Sequence, residues 1–225
     1  MIENPWILFA ALPAAAYVIG STPVGVIIAH FHNVDLRSQG SGNVGATNVG
    51  RVIGRKWGFL CFYLDVAKGL IPALVASMLV RGDSAALPTA VQQASMLTVA
   101  FGAIAGHVFS FWLKFTGGKG VATSLGVVLG VFPYFTYPGL CAFAIWIAVT
   151  LTSRYVSLGS IVAAAAFVAL FAAFNFADLA ALWPLGTFAA TMASLIIIRH
   201  RTNITRLLAG TESKIGAKRA ESKRG

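Results

Sequence analysis

The sequence predicts an all-α fold: a polytopic membrane bundle of about seven transmembrane helices. Three observations carry this expectation. Of 225 residues, 57% are hydrophobic and 11% charged, whereas a soluble domain carries about a quarter charged residues. So few charges cannot wet a globular surface, and lipid becomes the main solvent. The charges also divide the chain into apolar runs of roughly the twenty residues that one span requires. Finally, seventeen basic residues against seven acidic ones give a net charge of +10. The basic residues sit in short loops and the tail, the membrane pattern rather than the nucleic-acid one.

Residues 4–34 lack Asp, Glu, Lys and Arg and hold a first span at 6–29. The start carries Glu3 and no basic region, so this segment reads as a retained span rather than a cleaved signal. Residues 57–80 form a second span, interrupted by Asp65 and Lys68, and 84–113 a third, with Gln92 and Gln93 near its start. The stretch 120–153 is too long for one span and short for two. Pro133 and Pro138 bracket a turn there, giving short spans at 120–133 and 137–152 or a re-entrant pair of the same sidedness. Residues 155–177 and 179–198 complete the set. The whole of 1–225 reads as one domain, with 213–225 as a flexible basic tail suited to an anionic leaflet. An N-terminus outside and a cytoplasmic C-terminus place fifteen of the seventeen Lys and Arg residues inside, against Arg81 outside and Lys68 within a span. Cys61 and Cys141 lie in apolar segments without the spacing of a disulfide framework or a zinc site.

The unusual polar sequence gathers at the inner face. In the loop from Asp35 to Arg51, Gly40, Gly42 and Gly45 let the backbone turn tightly and present successive amides to one point. Ser41, Asn43, Thr47 and Asn48 add side-chain donors, and Arg51 a forked cation. That combination suits a phosphate, more so if the loop runs into a helix N-terminus; a small-residue connector is the plain alternative. Gly117-Gly118-Lys119-Gly120 opens the fourth span in the same way, although a lysine there also serves as a snorkelling anchor. His200 and Asn203 share a face if a helix continues past the seventh span, with Glu212 beyond them and Arg199, Arg201 and Arg206 as ordinary inner-leaflet anchors. Asp65 and Lys68 face one another on a helix, either as part of a site or as an internal lock between spans. His107 faces the site or packs. His30 and Asp35 have the His-x4-Asp spacing of acyl-CoA-dependent acyltransferases, but nothing around them supports that family.

Taken jointly, these segments resemble the bacterial acyl-phosphate-dependent glycerol-3-phosphate acyltransferases, PlsY-type integral membrane enzymes. The resemblance runs from about residue 20 to 216. It rests on Gly20-Ser21-Thr22-Pro23, the Gly40–Asn48 loop with Arg51, Leu64 to Gly69, Gly106-His107 through Thr123, Ser153 to Leu158, and Arg199 to Glu212. Gly50 departs from it, standing where a larger residue is expected. The resemblance implies transfer of a long-chain acyl group from acyl phosphate to the sn-1 hydroxyl of glycerol 3-phosphate, at a cytoplasmic-facing site in the bacterial inner membrane. The products would be lysophosphatidic acid and inorganic phosphate, with no cofactor, metal, acyl-CoA, carrier protein or nucleic acid involved, and the protein a monomer.

By the same resemblance, Ser41, Asn43, Arg51, Lys119, His200 and Asn203 carry the chemistry. Gly42, Gly45, Thr47, Asn48, Gly118, Ser157, His107, Asp65, Lys68 and Glu212 bind substrate. The Ser41–Asn48 loop would cradle the acyl-phosphate headgroup, while Arg51 and Lys119 hold glycerol 3-phosphate with Ser157, His200 and Asn203. Ala122, Gly126 and Gly130 would leave room for the acyl chain, and His200, with a pKa near neutrality, is one choice of base. The departing phosphate is the other. A membrane transporter of an organic phosphate is the rival reading, although transporters place their polar groups near the midplane.

Overall fold

The computed structural model describes residues 4–81 and 86–216, and the described residues hold helices and no strands. Five segments are long and apolar enough to cross a membrane: Ile7–His30, Arg55–Val80, Ala90–Leu113, Thr136–Ser153 and Val156–Phe174. Two shorter apolar helices, Val121–Gly130 and Trp183–Arg199, pack among them. The seven expected spans thus correspond to five full-length segments and two short ones.

The first span is not one helix. A π-helical stretch Ile7–Ala11 runs into α1 (Leu12–Ser21), Pro23 breaks the ladder, and α2 (Val24–His30) resumes. Breaking a helix in lipid strands its carbonyls, which must find donors inside the protein. Ser110 Oγ donates to Ser21 O at 2.6 Å and Lys68 Nζ to Thr22 O at 2.9 Å. The loop that follows turns into α3 (Ala46–Val52) and then α4 (Arg55–Arg81). The unexpected Gly50 lies where α3 crosses α4, with a Gly58 Cβ too close to the Gly50 main chain to be accommodated.

Helix α5 (Ala90–Val108) starts later than the sequence suggests, because Thr89 and Gln92 form a reciprocal capping box. Residues 82–85 lie outside the described set. The helix ends at Val108, and the chain then loops out and returns, with Phe109, Phe111, Trp112 and Phe115 exposed. On its return Gly117 N bonds Val108 O at 3.0 Å and Gly118 N bonds His107 O at 3.1 Å. This return lets α6 (Val121–Gly130) start level with the last turn of α5, and its ten residues rise about 15 Å. A turn through Pro133 leads to α7 (Thr136–Ser153), which comes back to the end where α6 began. The sequence 120–152 is therefore a hairpin with one short arm.

Helices α8 (Val156–Phe174), α9 (Trp183–Arg199) and α10 (Arg201–Leu208) follow. The expected straight continuation past the seventh span does not occur: α9 ends at Arg199 and His200 is the corner. Ser213–Gly216, expected to be part of a free tail, is tied down, since Ile215 N donates to Arg154 O at 2.8 Å and Arg154 Nη2 to Ile215 O at 2.9 Å. The rest of that tail, 217–225, lies outside the described residues.

Small residues set the packing, as they do where lipid gives helices no hydrophobic reason to associate. A Cβ at Gly102 or Gly106 of α5 would strike the backbone of α1, and one at Gly126 or Gly130 of α6 would strike α4. Gly126 and Gly130 are thus helix contacts and leave no room for an acyl chain, contrary to the expectation above. At the far end, buried Gln93 donates to Pro88 O and Ala181 O, joining α5 to the connection before α9.

Candidate active site

A polar cavity of about 860 Å³ opens where α3, α6, α8 and α10 begin. Thirteen of the sixteen site residues expected from sequence line it: Ser41, Asn43, Gly45, Thr47, Asn48 and Arg51 from the first loop, with Asp65, His107, Lys119, Ser157, His200, Asn203 and Glu212. Gly42, Lys68 and Gly118 do not; Gly42 is a turn residue at φ +70°, and the other two stand behind the wall.

The first loop is organised by one buried side chain. Asn48 accepts Ser41 N at 2.9 Å and donates to Leu36 O and Gln39 O, each at 3.1 Å. It is 1% exposed, so its main contribution is to the shape of the loop. Asn43 Oδ1 accepts Gly45 N at 2.8 Å, an Asx turn that sets the approach to α3. The loop does run into a helix, with the amides of Ala46 and Thr47 ahead of the first intrahelical bond, from Asn48 N to Gly45 O. Val121 and Ala122 at the start of α6, and Val156 and Ser157 at the start of α8, line the same cavity. The first turns of three helices therefore border one space, where helix dipoles favour an anion.

Opposite them runs a chain of charge-assisted hydrogen bonds. Lys119 Nζ donates to Asn203 Oδ1. Asn203 Nδ2 donates to Glu212 Oε1 at 2.6 Å, Ser157 Oγ to the same oxygen at 2.7 Å, and Arg206 Nε to Glu212 Oε2 at 2.7 Å. Burial pushes the Glu212 carboxyl up, but these donors outweigh it and hold the group below its ordinary value. Burial lowers the Lys119 ammonium to about 8, and the nearby arginines add to the shift. It is charged at neutral pH, within reach of losing its proton. The Gly117–Gly118 segment ahead of Lys119 is held from both sides, by the main chain of His107 and Val108 and by Arg199 Nη2 donating to Gly118 O at 3.1 Å.

His200 is 3% exposed and sits at the α9–α10 corner, its Nδ1 2.7 Å from Ile196 O. That carbonyl requires a proton on Nδ1, so Nε2 is the free acceptor. Burial drives the imidazole down to about 4, with Lys119 adding to the shift. His200 is a neutral acceptor and a weaker base than the ordinary histidine assumed from sequence.

Beneath the cavity lies a second charged group. Asp65 Oδ1 is 2.8 Å from Lys68 Nζ and 3.7 Å from His107 Nδ1, and Cys61 Sγ is 3.6 Å from Asp65 Oδ2. Lys68 completes its coordination on Thr22 O at the helix break. The pair ties α4 to the break between α1 and α2, as an internal lock would. Asp65 and His107 still border the cavity, and the His107 ring occupies the place that a side chain at Gly118 would need.

Several residues at the site escaped the sequence reading. Arg206, taken there for a leaflet anchor, holds Glu212. Trp146 and Ser160, joined by a 3.1 Å hydrogen bond, border the polar cavity and also a second, apolar cavity of about 800 Å³ between α6, α7, α8 and α9. A tryptophan and a serine inside apolar helices give no sequence signal of their own. His30 and Asp35 do not meet at the site: His30 is exposed, and Asp35 accepts Arg37 N at 2.9 Å.

Residues 10–210 match the glycerol-3-phosphate acyltransferase family. A glycerol-3-phosphate acyltransferase of Geobacter sulfurreducens is 43% identical over 206 residues, covering 92% of this chain and 97% of its own. One from Aquifex aeolicus is 45% identical over 202 residues, covering 88% and 95%. Among solved structures, the glycerol 3-phosphate form of PlsY, an integral membrane glycerol 3-phosphate acyltransferase, is similar to this fold with a TM-score of 0.79 at 41% identity, over 92% of this chain and 94% of that one. Its lysophosphatidic acid form gives 0.76 at 40%. With the match running nearly end to end and the polar segments converging on one cavity, the chain belongs to the glycerol-3-phosphate acyltransferase family, as an integral membrane enzyme of the PlsY type.

Proposed function

We propose that this enzyme transfers a long-chain acyl group from acyl phosphate to the sn-1 hydroxyl of glycerol 3-phosphate, releasing lysophosphatidic acid and inorganic phosphate. One observation carries the reading: a cavity with three cationic side chains and three helix N-termini adjoins an apolar cavity through Phe62, Val121, Trp146 and Ser160. Two phosphates and one alkyl chain match that arrangement. Relatives named for glycerol 3-phosphate acylation, and solved PlsY forms with glycerol 3-phosphate and lysophosphatidic acid, support the acceptor and the product.

In this scheme the amides of Ala46 and Thr47 and the Ser41–Asn48 loop take the acyl-phosphate headgroup. Arg51 and Lys119 take the phosphate of glycerol 3-phosphate, with Ser157, Asn203 and Glu212 orienting its hydroxyls. An acyl phosphate is a mixed anhydride, so its carbonyl is activated before binding. Holding two reactants in attack geometry supplies much of the rate, and fixed donors near the carbonyl oxygen supply more. The acceptor oxygen forms the new ester bond as the bond from carbonyl carbon to phosphate oxygen breaks, and the phosphate departs with the hydroxyl proton. His200, neutral and depressed to about 4, receives a hydrogen bond on Nε2 without needing to become the base. His200→Ala should therefore keep substantial turnover; complete loss with unchanged substrate binding would assign the proton to His200 instead.

In this reading the site faces the cytoplasm from the bacterial inner membrane and the protein works as a monomer; the excess of basic residues on this side supports the orientation. The test is acyl transfer to radiolabelled glycerol 3-phosphate by purified protein, with palmitoyl phosphate and palmitoyl-CoA offered separately. Lysophosphatidic acid from palmitoyl phosphate alone is expected. Product from the thioester alone would overturn the donor assignment, and product from neither would overturn the reaction.

A further inference from the structure

The apolar cavity has a closed end. Its lining residues come from α5 to α9, apart from Phe62 of α4 and Phe135 before α7, and are buried or part-buried, so a chain within it lies between helices. Near Ser160 the walls are small side chains, Ala142, Ala163 and Ala193 among them. At the other end the walls become rings. Phe135 is fully buried and held from three sides, edge-on to Phe167 at 5.3 Å and to Phe171 at 5.5 Å and stacked on Phe188 at 6.2 Å. Leu182 and Leu185, both at 0% exposure, belong to the same core cluster. Moving Phe135 aside would disturb a close-packed cluster, and interiors of that density resist such shifts.

We infer that Phe135, Phe167 and Phe188 form the stop of an acyl-chain ruler, which sets the length of acyl phosphate the enzyme uses. This rests on the acyl-phosphate reading above and adds the specificity of the same site. Ser157, bonded to Glu212, marks the level of the polar groups, and Phe167 lies ten residues further along the same helix. At 1.5 Å per residue the distance is about 15 Å. A methylene advances about 1.25 Å, from a 1.52 Å bond and a 111° angle, so about 12 methylenes fit below the level of Ser157. Extended chains of about 14–16 carbons reach the ring cluster, given the carbons that lie beside the polar groups. Longer ones must fold back or leave part of their length outside.

The experiment compares wild type with Phe188→Ala, which removes a half-buried ring from the stop, and Ala163→Leu, which fills the cavity one turn ahead of Phe167. Binding is measured with alkylphosphonates, which carry chain and anion but no transferable group, and turnover with acyl phosphates of the same lengths. In wild type, affinity should rise about fourfold per added methylene up to the stop and then level or fall. Phe188→Ala should move the break to longer chains by about two to four carbons and Ala163→Leu to shorter ones; general damage to the fold would weaken every length alike. Opposite shifts without any turnover would keep the ruler and sink the acyltransferase scheme. A break that stays put in both active variants, or a wild-type profile with no break, would overturn the ruler while leaving the reaction standing.

Discussion

Two clusters of buried charge lie close together in this protein and do opposite work. The Asp65–Lys68 pair closes on itself: its carboxylate meets Lys68 and faces His107, and Lys68 also caps the carbonyl that the Thr22–Pro23 break exposes. The Lys119–Asn203–Glu212 chain is closed at one end, by Arg206 and Ser157, and its other end faces an open cavity ringed by helix N-termini. A lysine in an apolar segment is thus not by itself a sign of catalysis. What separates scaffold from site is whether its donors are already matched or are presented to empty space.

The sharpest way to break this comparison is to neutralise each lysine in turn. Lys119→Met should lower kcat/KM for glycerol 3-phosphate by about 10²–10³-fold, as loss of one preorganised donor does, with thermal unfolding little changed. Lys68→Met should do the reverse. It leaves Asp65 buried without its close cation and should destabilise the fold by about 3–5 kcal/mol, measured by unfolding in detergent, while the protein that stays folded keeps its KM. Asp65→Asn combined with Lys68→Met should recover part of that loss. Equal catalytic damage from both lysines would end the distinction.

A pH profile sharpens it further. Lys119 has its pKa lowered to about 8 by burial, so it is a cation below that value and loses its charge as pH rises through it. The alkaline limb of kcat/KM, which reports the free enzyme, should fall near pH 8. Lys119→Arg, if active, should carry the limb upward, whereas substitutions at Lys68 should leave it in place. The smallest effect belongs to the strap formed by Ser213–Gly216, which Arg154 ties down. Arg154→Ala removes the two side-chain hydrogen bonds to Ile215 O, leaving only the backbone bond from Ile215 N, and so loosens Glu212 three residues earlier. KM for glycerol 3-phosphate should rise several-fold, about 1 kcal/mol, with kcat and unfolding temperature nearly unchanged; a fall in kcat alone would place the strap's role elsewhere.

Much of this was legible in the chain. Low charge, the run lengths and the loop positions of the basic residues set the class of fold, because the bilayer imposes length and backbone pairing on any span. The glycine-rich loops pointed to anion binding because tight turns and free amides are local properties. Thirteen of the sixteen expected site residues do line one cavity. Local sequence did not disclose partners. Lys68 within a span and Lys119 in a glycine-rich turn both suit an anion site, and only the arrangement of α1, α4 and α10 assigns one to Thr22 and the other to Asn203. Gly126 and Gly130 look like space, yet α4 fills it. His200 looks like a base of ordinary strength until its burial at a helix corner is known. The sequence alone determined the solvent, the element lengths and the chemistry on offer, each of which depends on residues near one another in the chain. Only the tertiary structure decided which charge is matched, which small residue is covered and where an apolar cavity ends, because those depend on what packs against each side chain from far along the sequence.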